Sequence, residues 1–192
     1  MFGYYSHKEL NEIGFGSLGK NVLVSRSVEF VNVSQIFIGN NSRIDTFSII
    51  APSGSAVIKI GNYVQICAYT ILNGLESITL EDFSSVGLHC SILSSSENFN
   101  GEFLTNATID KEYLGTMSVP VVIEKHAIVS TGVTILPGVK ISEGTVVGAH
   151  SLVKESTKPF TVVAGVPAKL IKYRSKNILE VEKTFLQKRF GK

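Results

Sequence analysis

The chain has 192 residues, 44% apolar and only 18% charged, with 17 glycines and 11 phenylalanines, which suits one β-rich globular domain and excludes a disordered chain. A net charge of +2 leaves no electrostatic footprint for nucleic acid, the local basic excess being confined to Lys188, Arg189 and Lys192. Cys67 and Cys90, without a CxxC or Cys/His cluster, exclude a disulfide framework; with no long apolar run and no basic-then-apolar leader, the expectation is a cytoplasmic protein without a membrane span.

The first expected element is a short helix. Ser6-His7-Lys8-Glu9 has the spacing of a capping box, Leu10 and Ile13 follow on one face, and Gly14 is a stop, so residues 1–20 read as an N-terminal cap. A recurring phrase follows: Ile38-Gly39-Asn40-Asn41-Ser42 leads into Ile44 and Ile50, Ile60-Gly61-Asn62-Tyr63-Val64 into Ile66 and Leu72, and then come Leu80, Val86 and Ile92. Short insertions near Pro52-Ser53-Gly54 and Gly74-Leu75-Glu76 reset the frame. From Ser94 the repeat disappears, opening an excursion over residues 94–120. An unrepeated loop of this length in a compact solenoid points to function, and Phe99, Phe103 and Tyr113 argue for an ordered one.

Beyond it, Ile123, Val129, Ile135, Ile141, Val147 and Val153 fall at intervals of six without exception. A second register four residues after each holds Ala127, Val133, Val139, Thr145, Ser151 and Thr157, all small or β-branched. Between them stand turn formers or polar residues such as Thr131-Gly132 and Pro137-Gly138. Period six fits neither an α-helix nor an antiparallel meander; it fits short strands joined by corners, three sides to a coil, with equivalent side chains stacked into one core. The expected fold is an all-β parallel β-helix over residues 21–172. Residues 173–192 form an amphipathic C-terminal helix, with Ile178, Leu179, Glu182, Phe185, Leu186 and Arg189 at helical spacing after Ser175. The whole chain reads as one domain.

The hexads pass into Val162-Val163-Ala164-Gly165-Val166-Pro167-Ala168-Lys169, which resembles the terminal Gly-x-Pro-Ala-basic motif of the hexapeptide-repeat acyltransferases. The resemblance covers nearly the whole chain. It implies a left-handed β-helix, a homotrimer, acetyl-CoA as co-substrate with no metal, and a CoA thiol reaching into a cleft between neighbouring copies. The terminal motif and loop placement resemble the galactoside and maltose O-acetyltransferases. The Ser94-to-Phe99 stretch, Gly101-Glu102-Phe103-Leu104-Thr105-Asn106 and the Lys/Glu-rich last helix are more similar to the nucleotide-amino-sugar N-acetyltransferases of O-antigen biosynthesis, those acting on dTDP-4-amino-4,6-dideoxy-glucose among them.

Acyl transfer from a thioester needs a deprotonated nucleophile, a donor for the tetrahedral oxyanion and both reactants held close. The galactoside-type enzymes use a histidine at the start of the excursion as base, and an ungapped overlay from Leu80-Glu81-Asp82 puts Glu97 there instead. A carboxylate suffices for an amine, already a good nucleophile once neutral, whereas a hydroxyl asks more of its base. The departure points to N-acylation, with Glu97 as base or amine-orienting group; a solvated loop carboxylate is the bland alternative. His89, on a corner in Val86-Gly87-Leu88-His89, is the rival base, against an exposed corner imidazole. Asn98 and Glu102 are candidate substrate-binding residues. His126 and His150, at equivalent corners, are expected to be structural or CoA-lining.

The O-acetyltransferase pattern carries donor contacts onto Thr131, Ala149, Val153 and Lys154. Lys169 and Lys172 stand for arginines that meet the CoA phosphates, keeping the charge but not the bidentate fork. Gly132, Gly148 and Ala149 would let the pantetheine approach the backbone. The alternatives are O-acetyl transfer to a sugar hydroxyl, a zinc carbonic anhydrase on the same fold, where Thr131 stands in place of a third histidine, and a non-catalytic structural β-helix, for which threonine arrays and an uninterrupted repeat would be expected.

Overall fold

The computed structural model describes residues 3–191; Met1, Phe2 and Lys192, the last of the C-terminal basic group, lie outside them. The chain winds into the expected left-handed parallel β-helix with two α-helices. Hexad residues visit the three faces in turn. Ile60, Leu80, Ile123 and Ile141 are in register on the first face, Ile66, Val86, Val129, Val147 and Val163 on the second, and Ile50, Leu72, Ile92, Ile135 and Val153 on the third. All six hexad positions from Ile123 to Val153 are buried, each such aliphatic contributing about 1.5–3 kcal/mol of transfer free energy. The second register is buried through Ser151, and its hydroxyls are satisfied by backbone carbonyls: Thr145 Oγ1 donates to Lys158 O at 2.9 Å and Ser151 Oγ to Gly148 O at 2.7 Å.

The Gly-Asn phrase now has a physical reason. At the first corner, between the first and second faces, Asn40 Oδ1 accepts from Lys20 N at 2.8 Å, Asn62 Oδ1 from Asn40 N at 2.8 Å and Asp82 Oδ1 from Asn62 N at 2.7 Å. This ladder brings the coils so close that a Cβ on Gly39 would lie 2.6 Å from the Gly61 carbonyl carbon. The next residue of each corner is left-handed: Asn41, Tyr63, Phe83 and His126 at the first corner, Phe47, Tyr69, His89 and His150 at the second. Aromatics are rare there; here they stack coil upon coil, Tyr63 on Phe83 with centroids 4.9 Å apart and Phe83 on His126 at 5.3 Å.

Helix α1 (His7–Ile13) begins in the expected capping box, with Ser6 Oγ accepting from Glu9 N at 3.3 Å and Glu9 Oε2 accepting from Ser6 N at 2.7 Å, and ends on left-handed Gly14. Leu10 is buried in the core, and the first strand, Ser17–Leu18, starts within the segment read as cap. Helix α2 (Ile178–Phe190) does not cover the far end of the coils. At that end Ala168–Tyr173 folds back antiparallel onto Thr161–Gly165 and extends the second face by one strand. Instead α2 lies along the first corner: Glu182 meets Lys125 at 2.7 Å and His126 at 2.8 Å, Phe185 packs edge-on against Tyr63 and Phe83, and Arg189 Nη2 donates to Asn41 Oδ1 at 3.2 Å. Helical spacing predicted the helix but not its seat, because the aromatic column that receives Phe185 exists only once the coils are stacked.

Candidate active site

The excursion leaves the third corner, between the third face and the next coil's first face, as an ordered ribbon. Ser95–Ser96 pairs antiparallel with Met117–Ser118, Val119 N donates to Ser94 O at 3.0 Å, and Leu104 N donates to Tyr113 O at 3.0 Å. Between ribbon and coils opens a cleft of about 930 Å³, larger than those against the first face (about 550 Å³) and beneath α2 (about 420 Å³). Leu75, Leu93 and Ile109 give it an apolar wall, Ser95 and Ser118 line it with polar residues, and Glu97, Phe99 and Lys111 also border it. The charged side chains lining it are therefore one carboxylate and one ammonium.

Glu97 follows the strand Ser95–Ser96 at the start of the excursion. Its Oε1 accepts from Asn106 N at 3.2 Å, while Oε2 is buried without a hydrogen-bond partner among the described residues. Such an oxygen is costly to leave unpaired. His89 lies apart, on the second corner across the width of the third face; it is exposed and rests flat on Tyr69, centroids 4.8 Å apart and planes 5° apart. The two rival bases are not brought together within one chain.

Asn98 and Glu102 do not line the cleft. Asn98 Oδ1 accepts from Asn100 N at 3.0 Å, and Glu102 Oε2 accepts from Asn100 Nδ2 at 2.6 Å, so both side chains shape the loop itself. Of the donor candidates, Thr131, Gly132 and Ala149 sit on the second corner beyond His89, where the His150 ring folds over Gly132. Val153 points into the core and offers a ligand only its backbone. Lys154 is exposed, 3.8 Å from Glu155, and Lys169 and Lys172 project from the terminal hairpin, Lys169 bordering a small cleft of about 250 Å³ together with Val153. His126 is 5% exposed, held by Glu182 and stacked on Phe83. Burial raises the thiol pKa of Cys90, and both cysteines are free. Sequence reasoning missed Phe99 and Lys111 as cleft residues; the interrupted repeat marked their loop but not which side chains face inward.

No family model matches the chain. It is 38% identical over 188 residues to dTDP-4-amino-4,6-dideoxy-D-glucose acyltransferase of Escherichia coli, covering 98% of this chain and 97% of that one. It is 32% identical over 139 residues to WbbJ of Escherichia coli K12, a protein assigned to O-acetyl transfer in lipopolysaccharide biosynthesis, covering 70% and 66%. Among solved structures it matches a point mutant of AntD, an N-acyltransferase from Bacillus cereus, solved with dTDP and coenzyme A, at a TM-score of 0.92 and 40% identity, over 97% of this chain and 99% of that one. The expected placement beside the nucleotide-amino-sugar enzymes is thereby borne out. With its hexad core, its interrupting loop and full-length similarity to these proteins, the chain belongs to the hexapeptide-repeat acyltransferases, in the family of dTDP-4-amino-4,6-dideoxyglucose acyltransferase.

Proposed function

We propose that this acyltransferase moves an acyl group from acyl-CoA, acetyl-CoA in the simplest case, to the amine of a dTDP-linked amino-deoxy sugar during surface-polysaccharide (O-antigen) biosynthesis in the cytoplasm. Glu97 carries the reading: it is the one carboxylate lining the largest of these clefts, and one of its oxygens has no donor among the described residues, a pairing that the nitrogen of an amino sugar would supply. A point mutant of AntD has been solved with dTDP-4-amino-4,6-dideoxyglucose and coenzyme A together, which supports both the acceptor class and the donor. A further AntD complex holds 3-hydroxybutyryl-CoA, so the acyl chain is a variable to be tested.

In the proposed reaction Glu97 takes a proton from the amine as its nitrogen attacks the thioester carbonyl carbon. A C–N bond forms, the tetrahedral oxyanion collapses, the C–S bond breaks, and the thiolate leaves and takes up a proton. Thr131, Gly132 and Ala149 flank the pantetheine arm, and Lys154, Lys169 and Lys172 meet the CoA phosphates as point charges. Glu97 and the second corner lie on opposite edges of the third face, so the reading includes a homotrimer in which the cleft of one copy faces the second corner of the next. Transfer to a sugar hydroxyl, with His89 as base, is the second reading, and the similarity to WbbJ favours it.

The test is thiol release from acetyl-CoA and 3-hydroxybutyryl-CoA with dTDP-4-amino-4,6-dideoxyglucose, dTDP-glucose and free galactosides as acceptors. Turnover with the amino sugar alone is expected; turnover only with hydroxyl acceptors overturns the first reading.

A further inference from the structure

Phe99 is 86% exposed, the most exposed of the large hydrophobic residues described. It is held there by a built turn. Asn100 N donates to Asn98 Oδ1 at 3.0 Å, Glu102 N to Asn100 Oδ1 at 3.0 Å and Asn100 Nδ2 to Glu102 Oε2 at 2.6 Å, with Gly101 in the left-handed region. The same loop does have an apolar seat, which Phe103 takes by packing over Gly115. Phe99 instead borders the cleft that contains Glu97 and Lys111. An aromatic face exposed in the single chain at the edge of this cleft, beside its apolar wall, gains most from a flat apolar partner.

We infer that Phe99 is the platform on which the base of the nucleotide-linked acceptor stacks, a specificity-determining contact that rests on the nucleotide-sugar reading given above. The chemistry of the cleft residues matches the parts of such a molecule: an uncharged planar base for Phe99, a diphosphate for the ammonium of Lys111, and an amine for the unpaired oxygen of Glu97. A free amino sugar would leave Phe99 and Lys111 without partners. Stacking on Phe99 therefore selects for the nucleotide and contributes to acceptor binding without touching the reacting atoms.

The chain contains no tryptophan, so Phe99→Trp installs a single fluorescent reporter at the proposed contact. Saturable quenching of that fluorescence by dTDP is expected, with KM for the nucleotide sugar close to the parent's. Phe99→Ala is expected to raise that KM about tenfold or more, the usual scale of a lost base–aromatic stack, while kcat and the KM for acetyl-CoA stay unchanged. Unaltered dTDP affinity in Phe99→Ala overturns the inference. So does a change in the acetyl-CoA KM, which would put Phe99 on the donor, or a change in oligomeric mass, which would put it against another copy of the chain. If the parent protein fails to bind dTDP while still acylating another amine, the acceptor reading itself falls, and this inference with it.

Discussion

His126 Nε2 and Glu182 Oε2 lie 2.8 Å apart across the seam between the first corner and helix α2. The other oxygen of the carboxylate meets Lys125 Nζ at 2.7 Å. Burial pushes the Glu182 carboxyl up, but the hydrogen bonds and charges of Lys125 and His126 outweigh it, and the net shift is below the ordinary value of 4.5. A depressed carboxyl stabilises the folded state above its unfolded value, and that stability is lost as pH falls through the folded value. The melting temperature of the parent is therefore expected to drop more steeply below about pH 4.5 than that of Glu182→Gln. Thermal melts of both proteins across the acid range check this, and parallel curves would remove Glu182 as the source.

Glu97→Gln keeps the size and one acceptor of the side chain but removes the base. A loss of about 100-fold in kcat with unchanged acyl-CoA KM is expected from the usual scale of general-base catalysis. His89→Asn, altered at a ring that rests on Tyr69 and lies apart from Glu97 within one chain, is expected to retain near-parental kcat if Glu97 is the base. Steady-state kinetics in which the two variants exchange places would assign the proton to His89.

Ser84 Oγ is buried without a partner among the described residues, at the inward position that Ala127 fills one coil later. Replacing it by alanine removes an unsatisfied hydroxyl and leaves an apolar side chain between Val64 and Ala127, its neighbours in register. Ser84→Ala is expected to stabilise the fold by about 1 kcal/mol, seen as a higher urea midpoint with unchanged m-value. A lower midpoint would show that the hydroxyl has a partner.

Gly39→Ala forces a Cβ to within 2.6 Å of the Gly61 carbonyl carbon, and backbone cannot yield as a side-chain tip can. A loss of about 1–3 kcal/mol is expected, as for other overpacked sites. Gly54→Ala meets nothing within 4 Å, its φ of +62° being the remaining obstacle, and should cost less. Chemical denaturation of the pair separates steric crowding from left-handed strain.

The coil was legible because its rule is local: a residue six positions after a buried aliphatic is again buried, and Ile123 through Val153 obey without exception. The same rule, followed strictly, places Val153 in the core and leaves it only a backbone contact with any donor. The corners were less legible. Left-handed positions held by Phe47, Tyr63, Tyr69 and Phe83 carry no turn-forming signature, and the stacking that accommodates them joins residues a full coil apart across insertions. In the loop, the overlay picked Glu97, which the structure places on the cleft, but nothing in the sequence distinguishes Phe99, 86% exposed, from Phe103, 42% exposed over Gly115, or shows that Asn98 and Glu102 turn back on their own loop.

Helix α2 also bears on how the molecule is made. Neighbouring coils join residues about a coil apart, as in the 22-residue separation of Asn40 and Asn62, so each turn of the solenoid can settle on the one before it as the chain leaves the ribosome. The contact from Arg189 to Asn41 spans 148 residues. The early coils can therefore assemble before their outer seam is closed, and α2, synthesised after them, packs along Phe83 and Tyr63 to fasten it. Chains arrested before Ile178 should hold assembled coils whose N-terminal turns exchange amide hydrogens faster than those of the finished protein.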